Sequence, residues 1–117
     1  MSCRGSGGTR ADGREAVRHV RTLMRFQIDT PAGNELIRSG QMPKLMDEML
    51  EQLHPEAVYF FPQDGCRGGL MVFDLEDPSM MPVLTEPMWE RLHARIEMSP
   101  VMNLDELRAG LTRLASG

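Results

Sequence analysis

Ala57-Val58-Tyr59-Phe60-Phe61-Pro62-Gln63-Asp64-Gly65-Cys66-Arg67-Gly68-Gly69-Leu70-Met71-Val72-Phe73-Asp74 lies in the middle of a 117-residue chain. Its first five residues are mostly β-branched or aromatic and favour a strand. Asp64-Gly65 is a two-residue turn signal, and Leu70 to Asp74 reads as the returning strand. Together they predict a β-hairpin. Before it, Met42, Leu45, Met46, Met49, Leu50 and Leu53 recur at helical spacing, with Asp47, Glu48, Glu51 and Gln52 on the other face. Pro43 suits the first turn of that helix, and His54-Pro55 ends it because a residue before proline avoids helical angles. Further upstream, Met24-Arg25-Phe26-Gln27-Ile28-Asp29 alternates apolar and polar like a strand. Thr30 to Asn34 reads as a turn, and Glu35 to Arg38 as a short helical piece interrupted at Gly40.

Downstream of the hairpin, Glu76-Asp77-Pro78-Ser79 opens a helical stretch to about Leu92, which Pro82 and Pro87 are expected to bend or divide. Ala94 to Met98 alternates again and predicts a fourth strand ended by Pro100. Asn103 with Glu106 three residues on resembles a helix N-cap, and Leu104, Leu107, Leu111 and Leu114 follow at helical spacing. The order β-α-β-β-α-β plus a C-terminal helix defines an α+β chain. It is the split βαβ arrangement of ferredoxin-like folds, with a four-stranded antiparallel sheet in the order 4-1-3-2 and helices on one face.

A hydrophobic fraction of 41% and a charged fraction of 26% fit a globular domain and exclude collagen-like or wholly disordered chains. No apolar run approaches the roughly 18 residues of a membrane span. Charge is uneven. Residues 1–23 carry five Arg and two acids, whereas 24–117 carry eight bases and fifteen acids. An acidic body without a basic, aromatic-interleaved strip argues against nucleic-acid binding. Residues 1–23, rich in Gly and Ser at their start, are expected to form a flexible basic tail, and residues 24–117 a single domain. Cys3 and Cys66 form no metal-ligand pattern, so neither zinc nor another metal is expected, and such usage fits a reducing cytoplasm.

The stretches Gly33-Asn34-Glu35, Leu53 to Phe60, Gly69 to Ser79, Glu86-Pro87 and Pro100-Val101-Met102 carry a resemblance. Over residues 24–114 the chain resembles an uncharacterised bacterial family among the small dimeric α+β-barrel proteins. That superfamily also includes muconolactone isomerase-like and antibiotic-biosynthesis-monooxygenase-like members. The resemblance implies a homodimer in which the open sheet face meets its twin. It transfers no catalytic residue and implies no cofactor.

Alternation assigns Phe26, Ile28, Val58, Phe60, Met71, Phe73 and Ile96 to the face under the helices. Arg25, Gln27, Asp29, Tyr59, Phe61, Leu70, Val72, Asp74, Arg95 and Glu97 then fall on the open face. The group Arg25, Gln27, Tyr59 and Arg95, with Asp29 and Glu97, is the candidate site. Arginine would hold a carboxylate or carbonyl ligand, and Asp29 or Glu97 would move a proton. The bland alternative is a cross-strand salt-bridge ladder, or polar residues that are simply solvated or at an interface. His93 and Trp89, four residues apart, are a second candidate: an imidazole and an aromatic at a cavity mouth, or simply a packed pair. His54 reads as a helix C-terminal histidine, and Cys66 beside Arg67 as an incidental thiol. Met42, Met46 and Met49 on one helix and Met80, Met81 and Met88 on the other read as core filler, or as a malleable pocket. Two functions follow. One is a small-molecule-binding protein or cofactor-independent enzyme of isomerase or proton-transfer type, with its pocket between the sheet and a dimer partner. The other is a non-catalytic dimeric interaction or stress-type module.

Overall fold

The computed structural model describes residues 19–116. Eight elements follow in order: β1 (Val20–Gln27), α1 (Thr30–Arg38), α2 (Met42–Leu53), β2 (Ala57–Gln63), β3 (Cys66–Leu75), α3 (Met80–Leu92), β4 (Arg95–Pro100) and α4 (Leu104–Ser116). The fold is α+β: one four-stranded antiparallel sheet and four helices. Its neighbour order is β2-β3-β1-β4, and counted from the β4 edge the same sheet runs 4-1-3-2.

The hairpin turns on Asp64 and Gly65, both at positive φ (52° and 80°). That is the two-residue geometry whose twist suits a right-twisted pair. It sets Gln63 opposite Cys66 and every later pair up to Ala57 opposite Val72. Pro62 is tolerated because β2 is an edge strand. β1 runs down the middle, between β3 and β4. On its covered face Met24, Phe26 and Ile28 meet Met71 and Phe73 of β3, Leu36 of α1, Leu45 and Met49 of α2, and Leu84, Met88 and Leu92 of α3. Half-buried Val58 and Ile96 pack on the rim of this core. Phe60 points the same way yet is 57% exposed, because the end of β2 runs out from under the helices.

Three expectations are corrected. The first strand starts at Val20, not Met24: Val20 to Leu23 pair with Leu75 to Val72, and Thr22 is buried. Four residues of the supposed tail thus belong to the sheet. Alternation continues through them, but with Thr22 rather than an aliphatic residue at the buried position. Residues 1–18 of the expected tail lie outside the described residues. Second, Thr30 to Asn34 is not a turn but the opening of α1. Asp29 caps it by accepting from Ala32 N at 3.4 Å, with Pro31 in the first turn. Third, α3 is one continuous helix despite its prolines: Pro82 falls in the first turn, where no N–H is required, and Pro87 sits inside. The extra C-terminal helix is present as expected, and α4 buries no residue.

Candidate functional site

On the open face, parity and register determine which side chains are neighbours. Across the sheet one row runs Tyr59, Leu70, Arg25, Glu97 and the next runs Phe61, Gly68, Gln27, Arg95. Arg25, Gln27, Arg95 and Glu97 therefore come together where β1 meets β4 near the hairpin end. They line a cavity of about 220 Å3 with Gln63 and Asp64. Gln63 positions the centre. The surrounding donors and acceptors assign its amide nitrogen to the side of the Phe26 carbonyl, 3.1 Å away, and its oxygen to the side of Arg25 Nη2, 3.0 Å away. Gln63 and Asp64 escape a reading by sequence distance. The signal for them is the two-residue turn, which brings the end of β2 back beside the end of β1.

The ladder reading of this cluster fails. Among the described residues the ion pairs are Arg21 with Glu56 and Glu106, Arg38 with Glu35, and a His93–Asp29 contact at 4.0 Å. Among the described residues neither Arg25 nor Arg95 has a carboxylate within ion-pair distance. Two guanidiniums thus border one small cavity, with Glu97 and Asp64 on the same wall but not neutralising them.

The remaining candidates lie elsewhere. Asp29 is not on the open face. β1 ends at Gln27, after which Ile28 N donates to Arg67 O and Asp29 N to Leu92 O. The chain swings away, so strand parity no longer applies, and the Asp29 carboxylate caps α1. Tyr59 shares the row of Arg25 but sits two strands off, roughly 10 Å at ordinary strand spacing, with Leu70 between them. It is 65% exposed. Trp89 is on α3, in the helical layer and so on the opposite side of the sheet from the cavity. His93 does not share its helical phase, because it is the C-cap of α3 at φ 48° and has left the helix. Its Nδ1 comes within 4.0 Å of Asp29 Oδ2, with both side chains well exposed. Two candidate catalytic residues thus meet each other, away from the arginines. His54 caps α2 in the same left-handed conformation, donating its N–H to Leu50 O. No group of three or more His, Cys, Asp or Glu side chains suited to a metal occurs among the described residues, and no helix among them is long and apolar enough to cross a membrane.

Comparison with known protein families, with curated proteins and with solved structures finds no match to this chain.

Proposed function

We propose that the protein is a homodimeric binder of small carboxylate- or carbonyl-bearing molecules, which it holds at the Arg25–Arg95 cavity of its open sheet face. The observation that carries this is the pair of arginines lining one cavity with no carboxylate of the described residues in ion-pair contact. An arginine offers a planar fork of donors matched to a carboxylate, and Gln63 already fixes one of the two forks. Glu97, opposite Arg25 in the ladder, is the group placed to take or return a proton α to a bound carbonyl. Asp29 is not part of this chemistry.

The finer fold reading belongs to the same proposal. With α1 and α2 taken together as one crossover between β1 and β2, the element order and the strand neighbours β2-β3-β1-β4 support a ferredoxin-like domain. In a small dimeric α+β-barrel protein the bare sheet face would meet its twin, so that the partner roofs the cavity.

Titration with malonate, followed through the Arg side-chain N–H signals by NMR, tests the site. Binding is expected to move Arg25 and Arg95. Arg25→Ala or Arg95→Ala is expected to weaken it by about 1.5–3 kcal/mol, the worth of a charge-assisted contact. Unchanged affinity in both variants overturns the site. If malonate binds, tautomerisation of oxaloacetate, an enolisable carboxylate, separates enzyme from binder: Glu97→Gln is expected to abolish any acceleration while leaving binding in place.

A further inference from the structure

A second and larger cavity, of about 630 Å3, lies on the other side of the sheet, between α1, α2 and the end of the β2–β3 hairpin. Its origin is the overhang of β2. Phe60 and Pro62 face the helices by parity, but the helices stop short of them. Ile37 of α1 and Met42 and Met46 of α2 form the opposite wall. Phe60 is 57% exposed and Ile37 49% exposed, so apolar surface faces solvent from two sides of one hollow. Phe60 is also fixed, edge-on against buried Phe26 with ring centroids 6.1 Å apart.

One cation stands in this apolar setting. Arg67, opposite Pro62 in the ladder, reaches from β3 to α1. There Nη2 donates to Asn34 Oδ1 at 2.9 Å. Gly33 makes the bed for it, since a Cβ at that position would come within 2.8 Å of Arg67 Nη1. The guanidinium is thus held by a neutral acceptor, and among the described residues no carboxylate lies within ion-pair distance of it. The Thr30 hydroxyl and the Cys66 thiol, 3.8 Å apart, complete the polar end. A cavity of several hundred Å3, mainly apolar with a few fixed polar groups at one end, is the usual form of a small-molecule site.

From this we infer a binding site for a flat apolar carboxylate, with its ring system between Phe60 and the Met42–Met46 wall and its carboxylate on Arg67. Methionine suits that wall because its unbranched thioether adapts to the ring it meets. The site is independent of the Arg25–Arg95 cavity, which opens on the opposite face.

The test uses biphenyl-4-carboxylate and its neutral analogue biphenyl-4-carboxamide, titrated into the full chain with methyl-labelled Met and Ile. The acid is expected to shift the Ile37, Met42 and Met46 methyls and to bind about ten- to hundredfold more tightly than the amide, the ratio set by one charge-assisted contact. Arg67→Gln is expected to bring acid and amide to equal affinity, with Arg67→Lys in between. Arg25→Ala should leave this binding unchanged, which separates the two sites. In a Cys3→Ser chain, where Cys66 is the one remaining thiol, the acid is expected to slow reaction of Cys66 with a thiol reagent. The acid–amide comparison needs no variant and so survives any folding defect. Equal affinities for acid and amide overturn the proposal, as do methyl shifts confined to other residues. So does a peptide of residues 104–116 shifting these same methyls where the acid does not, which would make the hollow a protein interface.

Discussion

His54 and His93 each stop a helix in the left-handed region, with φ of 46° and 48°. A Cβ there crowds the following carbonyl, and glycine escapes that cost. His54 is also followed by Pro55, which further narrows its conformations. His54→Gly is therefore expected to raise stability by about 0.5–1 kcal/mol, net of the extra freedom glycine gains in the unfolded chain; a lower denaturant midpoint would show that the imidazole itself contributes. Gly69 is the opposite case. A Cβ there would collide with Tyr59 O and come within 2.8 Å of Phe26 Cζ, so Gly69→Ala is expected to cost about 1–3 kcal/mol as overpacking does. Asp77 sets a pH dependence. Its carboxylate accepts from Ser79 N at 2.9 Å, and this bond holds it below its ordinary value of 3.8. The stabilisation is full above that value and is lost as pH falls through the lower folded one. Asp77→Asn should flatten the acid limb of the stability curve below about pH 4, and parallel curves for the two chains would remove Asp77 from that limb.

At the scale of elements, what could be read from the chain is what local chemistry determines. Asp64-Gly65 specifies its turn and so the β2–β3 register, and the shared face of Arg25 with Gln27 on β1 and of Arg95 with Glu97 on β4 follows from parity. What could not be read depends on partners distant in sequence. Strand β1 extends back to Val20 because β3 is long enough to pair with it, and nothing in Val20-Arg21-Thr22-Leu23 announces a ten-residue β3. Asp29 left the site because its neighbour Ile28 is anchored by Arg67 O, a contact 39 positions away in sequence. These extra residues of β1 carry weight. Arg21 donates to Glu56 at 3.0 Å and Glu106 at 3.1 Å, tying the start of β1 to both the β2 entry and the first turn of α4. Those carboxylates raise the pKa of the guanidinium, Glu56 foremost. A chain beginning at Met24 should thus be less stable than one beginning at His19, by about 2–4 kcal/mol for several ladder bonds at their usual net worth. Equal melting temperatures would show the extension to be ornamental.

At the scale of the molecule, the described residues leave two apolar surfaces uncovered by one another. One is the open sheet face, with Leu23, Leu70 and Val72 half-buried and Tyr59 bare. The other is the stripe of α4, where Leu104, Leu107, Leu111 and Leu114 are 38–77% exposed. The helix is nonetheless well made. Asn103 and Glu106 cap it reciprocally, each accepting the other's N–H at 2.8 Å. A well-capped amphipathic helix with a bare apolar stripe needs a surface to cover it. Four strands of about eight residues present a flat area of roughly 19 by 26 Å. That is small beside the roughly 800 Å2 each partner buries in a stable complex, so the sheet faces alone make a thin interface. A twofold pairing in which each α4 also lies against the partner supplies the missing apolar area, and this is the form of homodimer expected here. Leu107→Asp with Leu111→Asp tests it cleanly, because both side chains are exposed in the single chain and the substitutions need not disturb its core. The double variant is expected to sediment as a folded monomer, with its circular dichroism unchanged, where the parent chain sediments as a dimer. Tyr59→Asp, in the sheet arm of the same interface, should weaken the dimer further. A parent chain that is monomeric at high concentration would leave both surfaces unexplained by self-association, and a double variant that still dimerises would place the interface on the sheet without the helix.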